Sequence, residues 1–169
     1  GIMMGTRSGD IDYSLIPYVM KESGMNLTEV DNVLNKQSGL LGVSGVSSDS
    51  RDIEEAMKNG NELAVLANEM YINKIAKYVA EYYVELDGKV DALVLTAGLG
   101  ENAIEFRENL LTKLECLGIK LDKEVNNSIA GFKSINSGII STEESSVPVY
   151  VVPTNEELMI ATDTYELIK

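Results

Sequence analysis

The chain has no histidine and a single cysteine, Cys116. Without histidine, a Ser-His-Asp triad and His-ligated zinc are excluded within these residues, and the commonest general base is missing. One cysteine forms no internal disulfide, so a reducing cytoplasm is the expected compartment. The place of Cys116 on an amphipathic helix predicts core packing rather than nucleophilic chemistry. Basic residues are scarce too: 14 against 27 acidic ones, for a net charge of −13. Nucleic acid requires a basic surface and is not an expected partner. Any bound polyanion must be held locally, by backbone N–H groups, a metal ion or a placed arginine. No apolar run approaches the roughly 18 residues of a membrane span, so no membrane partner is expected.

What remains is ordinary globular material. With 169 residues, 44% of them apolar, one core and one domain over residues 1–169 are the expectation. The opening GIMM reads as the interior of a longer chain. Leu15, Ile16, Val19 and Met20 recur at helical spacing between Ser14 and Ser23, with Gly24 as the stop. Thr28 is predicted to start the next helix. The Gly- and Ser-rich segment Ser38 to Asp52 reads as an ordered loop, after which Asp52 or a nearby residue caps a short helix ending near Asn59 and Gly60. The longest helix is predicted from Glu62 to Leu86. Its broad apolar face (Leu63, Leu66, Met70, Ile75, Tyr78, Val79, Tyr82) suits either the chain's own core or a subunit interface. Strands are predicted at Ala92 to Leu95, Ile139 to Ile140 and Val147 to Val152. Helices are predicted over Ala103 to Leu117, over Asp122 to Ala130 and from Thr154 to the end. This alternation defines an α/β fold.

Four stretches offer chemistry. In VLTAGLGEN, Val94 to Asn102, a buried strand runs into Gly98-Leu99-Gly100 with a helix just beyond. The pattern suits either a tight strand-to-helix turn or a loop that lets a ligand approach the backbone, and Ala103 stands where a dinucleotide fingerprint needs its third glycine. In VVPTNEEL, Val151 to Leu158, Thr154 and Glu157 fit a capping box. Glu156 suits the first turn of a helix, or Mg²⁺ bound directly or through water. In SSDSRD, Asp49 is an N-cap or accepts from a sugar hydroxyl, while Arg51 pairs with Glu54 or Glu55 or stacks on a base. Finally, Arg7 lies in MGTRSGDID between Gly5 and Gly9. A surface pair with Asp10 or Asp12 would add little, whereas a placed guanidinium could steady a phosphoryl group in transfer.

Taken in order, MGTRSGDID, LNKQSGLLGVSG, SSDSRD, VLTAGLGEN with Arg107 downstream, and VPTNEELMIA span almost the whole chain. Together they resemble the C-terminal half of the acetate kinase (acetokinase) family. The resemblance implies an actin-, chaperone- and sugar-kinase-like (ribonuclease H-like) ATPase fold of the α/β class, lacking its first strands. It implies reversible, Mg²⁺-dependent (or Mn²⁺-dependent) transfer of the ATP γ-phosphoryl to acetate, giving acetyl phosphate and ADP. By it, Arg7 stabilises the transition state, Asp49, Ser50 and Arg51 contact nucleotide, as do Gly98, Leu99, Gly100, Glu101 and Asn102, and Glu156 is associated with the metal. It also implies a cytoplasmic homodimer formed through the C-terminal domains. Ser50 stands where the family usually has a large residue, Tyr13 where it has proline and Ala103 where it has serine. The acetate pocket, the catalytic aspartate and the phosphate loop of the family lie outside this sequence, so the chain alone is expected to be inactive. A propionate or butyrate kinase, and a non-catalytic dimerisation module, are the alternative readings.

Overall fold

The computed structural model describes residues 1–130 and 137–169, which form two compact units, Gly1–Tyr78 and Val79–Lys169. The first unit is helical. Helix α1 (Leu15–Ser23) stops at Gly24, whose left-handed backbone closes the last turn. Helix α2 (Leu27–Lys36) begins one residue before the predicted Thr28. Asn26 and Glu29 form a reciprocal capping box there, each side chain accepting from the other's backbone N–H. The predicted loop from Ser38 contains helix α3 (Gly39–Ser44), and α4 (Ser50–Lys58) follows, capped by Asp49, the nearby residue that the sequence offers as an N-cap. Helix α5 (Glu62–Glu85) matches its expected bounds closely.

The core of this unit is built from Met3, Leu40, Ile53, Ala64 and Ala67, with Val43, Ala56, Met57 and Tyr71 packed against it. Burial on α5 therefore falls on Ala64, Ala67 and Ile72. Leu63, Leu66, Met70 and Tyr82 from the expected broad face stay exposed. That face does not fill the chain's own core.

The second unit holds the sheet. Strands β1 (Leu93–Leu95), β2 (Gly138–Ile139) and β3 (Val149–Val151) lie in the order β1-β3-β2. Strand β1 runs parallel to β3, with Leu95 opposite Val151, while β2 is antiparallel to β3. Helix α6 (Ala97–Asn102) leaves β1 directly, so the glycines expected in a turn lie inside a short helix. Helix α7 (Ile104–Leu114) ends in a 3-10 turn over Glu115–Leu117, and α8 (Lys123–Ser128) is capped by Asp122. Helix α9 (Glu156–Ile168) leaves β3. Leu110, Leu111 and Leu114 of α7 are buried, as are Ile119, Ile129, Ile140, Val147, Val149 and Val151. Cys116 falls on the 3-10 turn and is exposed, not packed in the core as its expected helical position implied. No helix among the described residues is long and apolar enough to cross a membrane.

The ladder sets the position of the site. Because β1 and β3 are parallel neighbours, both carboxyl ends lie at one edge, and α6 and α9 both begin there. In α/β sheets, ligands gather at such an edge.

Candidate functional site

In the first unit, backbone hydrogen bonds hold the loop that carries Arg7. The carbonyls of Met4 and Gly5 accept from the N–H groups of Leu40 and Leu41 in the first turn of α3, at 2.9 Å each. The Thr6 carbonyl accepts from Ser38 N–H at 2.9 Å, and Ser8 N–H donates to the Leu34 carbonyl at 2.9 Å. The helix that sequence propensity missed thus satisfies its orphan donors on the arginine loop. Gly39 has φ +64°, and a Cβ there would collide with the Met4 carbonyl oxygen. A Cβ on Gly5 would lie 2.6 Å from the Ser48 carbonyl, next to Asp49. The glycines near Arg7 are thus demanded by close backbone packing.

Neither aspartate of that motif pairs with the arginine. Asp10 binds Lys74 of α5 at 2.7 Å, and Asp12 accepts from the Ser14 hydroxyl and amide at 2.6 and 2.8 Å. The hydrogen bond from Lys74 holds the Asp10 carboxyl below its ordinary value. The exposed Arg7 forms no ion pair among the described residues and lines a cavity of about 560 Å³ with Met4, Ser8, Gly9 and Asn35.

Asp49 and Arg51 turn to one another. The Asp49 Oδ1 atom accepts from the Arg51 amide at 2.9 Å and from its Nε at 3.0 Å, and Oδ2 accepts from Nη2 at 2.6 Å. These bonds from Arg51 pull the Asp49 pKa down to about 2. The partner of Arg51 is therefore Asp49, not the expected Glu54 or Glu55. Ser50, half-buried, opens α4 between them.

In the second unit, the two strand exits share one pocket. A cavity of about 330 Å³ is lined by Ala97, Gly98, Thr154, Asn155, Glu156 and Glu157, with Ile160 beside them. Gly98 and Glu156, 58 positions apart in sequence, are brought together as the strand-end reading requires. The two α6 glycines differ. A Cβ on Gly98 would meet nothing within 4 Å, whereas one on the buried Gly100 would lie 2.8 Å from the Leu95 carbonyl carbon. Gly100 is needed for packing; Gly98 leaves open space at the pocket. Leu99 is half-buried, and the exposed Asn102 side chain donates back to the Gly98 carbonyl at 3.0 Å. Ala97 adopts φ +59°, a left-handed conformation that is costly for a residue with a Cβ, and strain of this kind concentrates at functional sites.

Thr154 does not cap α9. Asn155 does, accepting from Leu158 N–H at 3.0 Å. The Thr154 amide and hydroxyl instead donate to Glu101 Oε1, at 2.8 and 2.9 Å. The Thr154 amide holds the Glu101 carboxyl below the ordinary glutamate value, against partial burial and with help from the Thr154 hydroxyl and the Ala97 amide. Behind α6, Arg107 is fully buried. Its Nε donates to Asn126 Oδ1 at 2.7 Å; Nη1 donates to the Gly100 and Glu101 carbonyls at 3.0 and 2.9 Å. Its Nη2 donates to the Asn126 and Ile129 carbonyls at 3.0 and 2.5 Å. Every guanidinium N–H is thereby used. Burial lowers the Arg107 pKa, but an arginine remains charged. Periodicity could not reveal this hub, because its partners are carbonyls from two separate segments, Gly100 to Glu101 and Asn126 to Ile129.

A divalent cation fits the pocket on the chemistry of its donors. Glu156 and Glu157 supply hard carboxylate oxygens on its lining. That suits Mg²⁺, which is usually held by one or two carboxylates plus water and substrate phosphates.

The comparisons agree along the whole chain. The model of the acetokinase family matches residues 1–162. Acetate kinases of Halothermothrix orenii and Bacteroides thetaiotaomicron are 51% and 49% identical over all 169 residues. The chain spans 41% of the length of each of these relatives. Among solved structures, acetate kinase from Porphyromonas gingivalis matches 100% of this chain and 41% of its own, at 48% identity and TM-score 0.88. A propionate kinase from Francisella tularensis matches 95% of this chain and 39% of its own, at 43% identity and TM-score 0.84. The α/β architecture is the ATPase fold of these kinases. With the family model matched over residues 1–162 and relatives at 51% and 49% identity along all 169 residues, the chain belongs to the acetokinase family.

Proposed function

We propose that this chain is the nucleotide-binding part of an acetate kinase of its relatives' length, transferring the ATP γ-phosphoryl reversibly to acetate. The observation that carries the reading is Gly98 and Glu156 on one pocket at the ends of adjacent parallel strands. In the forward direction a carboxylate oxygen of acetate bonds to the γ-phosphorus as the bond to the β–γ bridging oxygen breaks. Acetyl phosphate and ADP result, and no proton need move. The protein's share of such a step is positioning and charge stabilisation.

In this reading the open backbone at Gly98, with Leu99 to Asn102, receives the nucleotide, and Asp49, Ser50 and Arg51 contribute a second contact stretch. Glu156, with Glu157 beside it, would hold Mg²⁺ or Mn²⁺, directly or through water. The cation neutralises phosphate charge when bound. Arg7, which forms no ion pair among the described residues, would stabilise charge on the phosphoryl group in transfer. Acetate and acetyl phosphate would bind residues beyond this chain, which leaves the chain alone inactive. We propose a cytoplasmic homodimer, with the exposed apolar residues of α5 in the interface; sedimentation of the full-length protein tests the assembly.

The likeness to a propionate kinase supports one alternative, a longer acyl substrate. The test of both is a coupled assay of the full-length protein with Mg·ATP and acetate, propionate or butyrate. Acetate is expected to give the highest kcat/KM. Absence of carboxylate-dependent ADP release would refute a carboxylate kinase, and a higher value with propionate would refute the acetate assignment.

A further inference from the structure

We propose that Glu101 is a positioning residue, a latch that fixes the Glu156-bearing turn to helix α6, with Arg107 as the buried anchor of that helix. Its catalytic consequence rests on the function proposed above; the latch itself does not.

The main-chain ladder stops short of the pocket. Its last rungs are Leu95 opposite Val151 and the Val152 N–H donating to the Leu95 carbonyl at 3.0 Å. Beyond them, side chains tie the two exits. The Thr96 hydroxyl donates to the Val152 carbonyl at 2.7 Å, and Glu101 takes both donors of Thr154, 53 residues away. A carboxylate accepting an N–H and an O–H on one oxygen is a charge-assisted contact, stronger than a neutral pair. Glu101 does not line the pocket that Glu156 and Gly98 share. Its main chain belongs to the stretch proposed to receive nucleotide, whereas its carboxylate acts on that pocket through Thr154, two positions before Glu156.

The latch needs a fixed base, and Arg107 supplies one. Its two Nη1 bonds hold the carbonyls of Gly100 and of Glu101 itself, while Nε and Nη2 tie the same guanidinium to Asn126 and Ile129. The carboxylate thus projects from a helix end whose carbonyls are anchored. The two pocket walls are thereby joined by one connected chain, from Asn126 through Arg107 and Glu101 to Thr154.

The test uses Glu101→Ala and Glu101→Gln in the full-length protein. Gln keeps one acceptor oxygen without the charge, and serves if Ala fails to fold. Amide exchange of Thr154, followed by NMR or mass spectrometry, is expected to accelerate at least tenfold in Glu101→Ala and less in Glu101→Gln, with the strands unchanged. Unaltered exchange at Thr154 overturns the latch, whether or not the protein turns over acetate. In kinetics, KM for Mg·ATP and the Mg²⁺ concentration giving half-maximal rate are expected to rise about tenfold in Glu101→Ala. KM for acetate should stay within twofold, with Glu101→Gln intermediate. Faster exchange with unchanged nucleotide KM, or equal losses for both substrates tracking Tm, would overturn the positioning role. A wild-type protein with no carboxylate kinase activity would refute the function instead, and the exchange result would still judge the latch.

Discussion

Replacing Gly98 with alanine separates ligand space from fold stability. The Gly98 backbone lies outside the left-handed region, inside α6, and a Cβ there meets no atom within 4 Å. A compatible Gly→Ala exchange stabilises by about 0.4–1 kcal/mol, chiefly through the unfolded chain. For a protein of 150–250 residues each kcal/mol moves Tm by roughly 2–4 °C, so a rise of about 1–4 °C is expected. The added methyl enters the cavity of about 330 Å³ in which nucleotide is proposed to sit. Overfilling a packed contact costs roughly 1–3 kcal/mol, which is about 5- to 150-fold in Kd. Gly100→Ala is the control. Its Cβ would lie 2.8 Å from the Leu95 backbone, so a loss of about 1–3 kcal/mol in stability is expected. Thermal melts measure stability, and calorimetric titration of the full-length protein with Mg·ADP measures affinity. If Gly98→Ala melts higher yet binds Mg·ADP like wild type, the glycine does not serve a nucleotide. If it melts several degrees lower, the reading of open space at Gly98 is wrong.

Other substitutions probe the first unit. Gly39→Ala meets both a left-handed backbone and the Met4 carbonyl, so a loss of at least about 2–3 kcal/mol is expected in denaturant melts, and a loss under about 0.5 kcal/mol would contradict the clamp on the Arg7 loop. Asp49 has its pKa lowered by Arg51 from 3.8 to about 2. Its contribution is therefore complete above about pH 4 and fades as pH falls through about 2. The stability gap between wild type and Asp49→Asn, measured by chemical denaturation, should narrow from pH 5 to pH 2. A gap that stays constant would show that the pair does not form.

Where local chemistry fixed an element, it was legible from the letters. Gly24 ends α1, and the apolar run at Leu93 to Leu95 is the strand whose exit forms the pocket. What could not be read depended on distant partners. Helix α3 forms from a Gly- and Ser-rich stretch because its first N–H groups find the carbonyls of Met4 and Gly5. Thr154 was expected as a cap, but its amide and hydroxyl are taken by Glu101, and Asn155 caps the helix in its place. The same limit hid the division of labour between Gly98 and Gly100, because only packing shows which of them touches Leu95. Arg107 stood out only as part of a family motif, since its partners are the Asn126 side chain and main-chain oxygens between Gly100 and Ile129.

The central claim is that a guanidinium presented on a glycine-packed loop acts on the phosphoryl group in transfer, and Arg7→Ala in the full-length protein tests it most directly. Steady-state kinetics with saturating acetate and Mg·ATP should show kcat reduced by about 10³-fold or more, with KM for Mg·ATP within a few-fold of wild type. A variant with unchanged kcat and only a raised KM would contradict it.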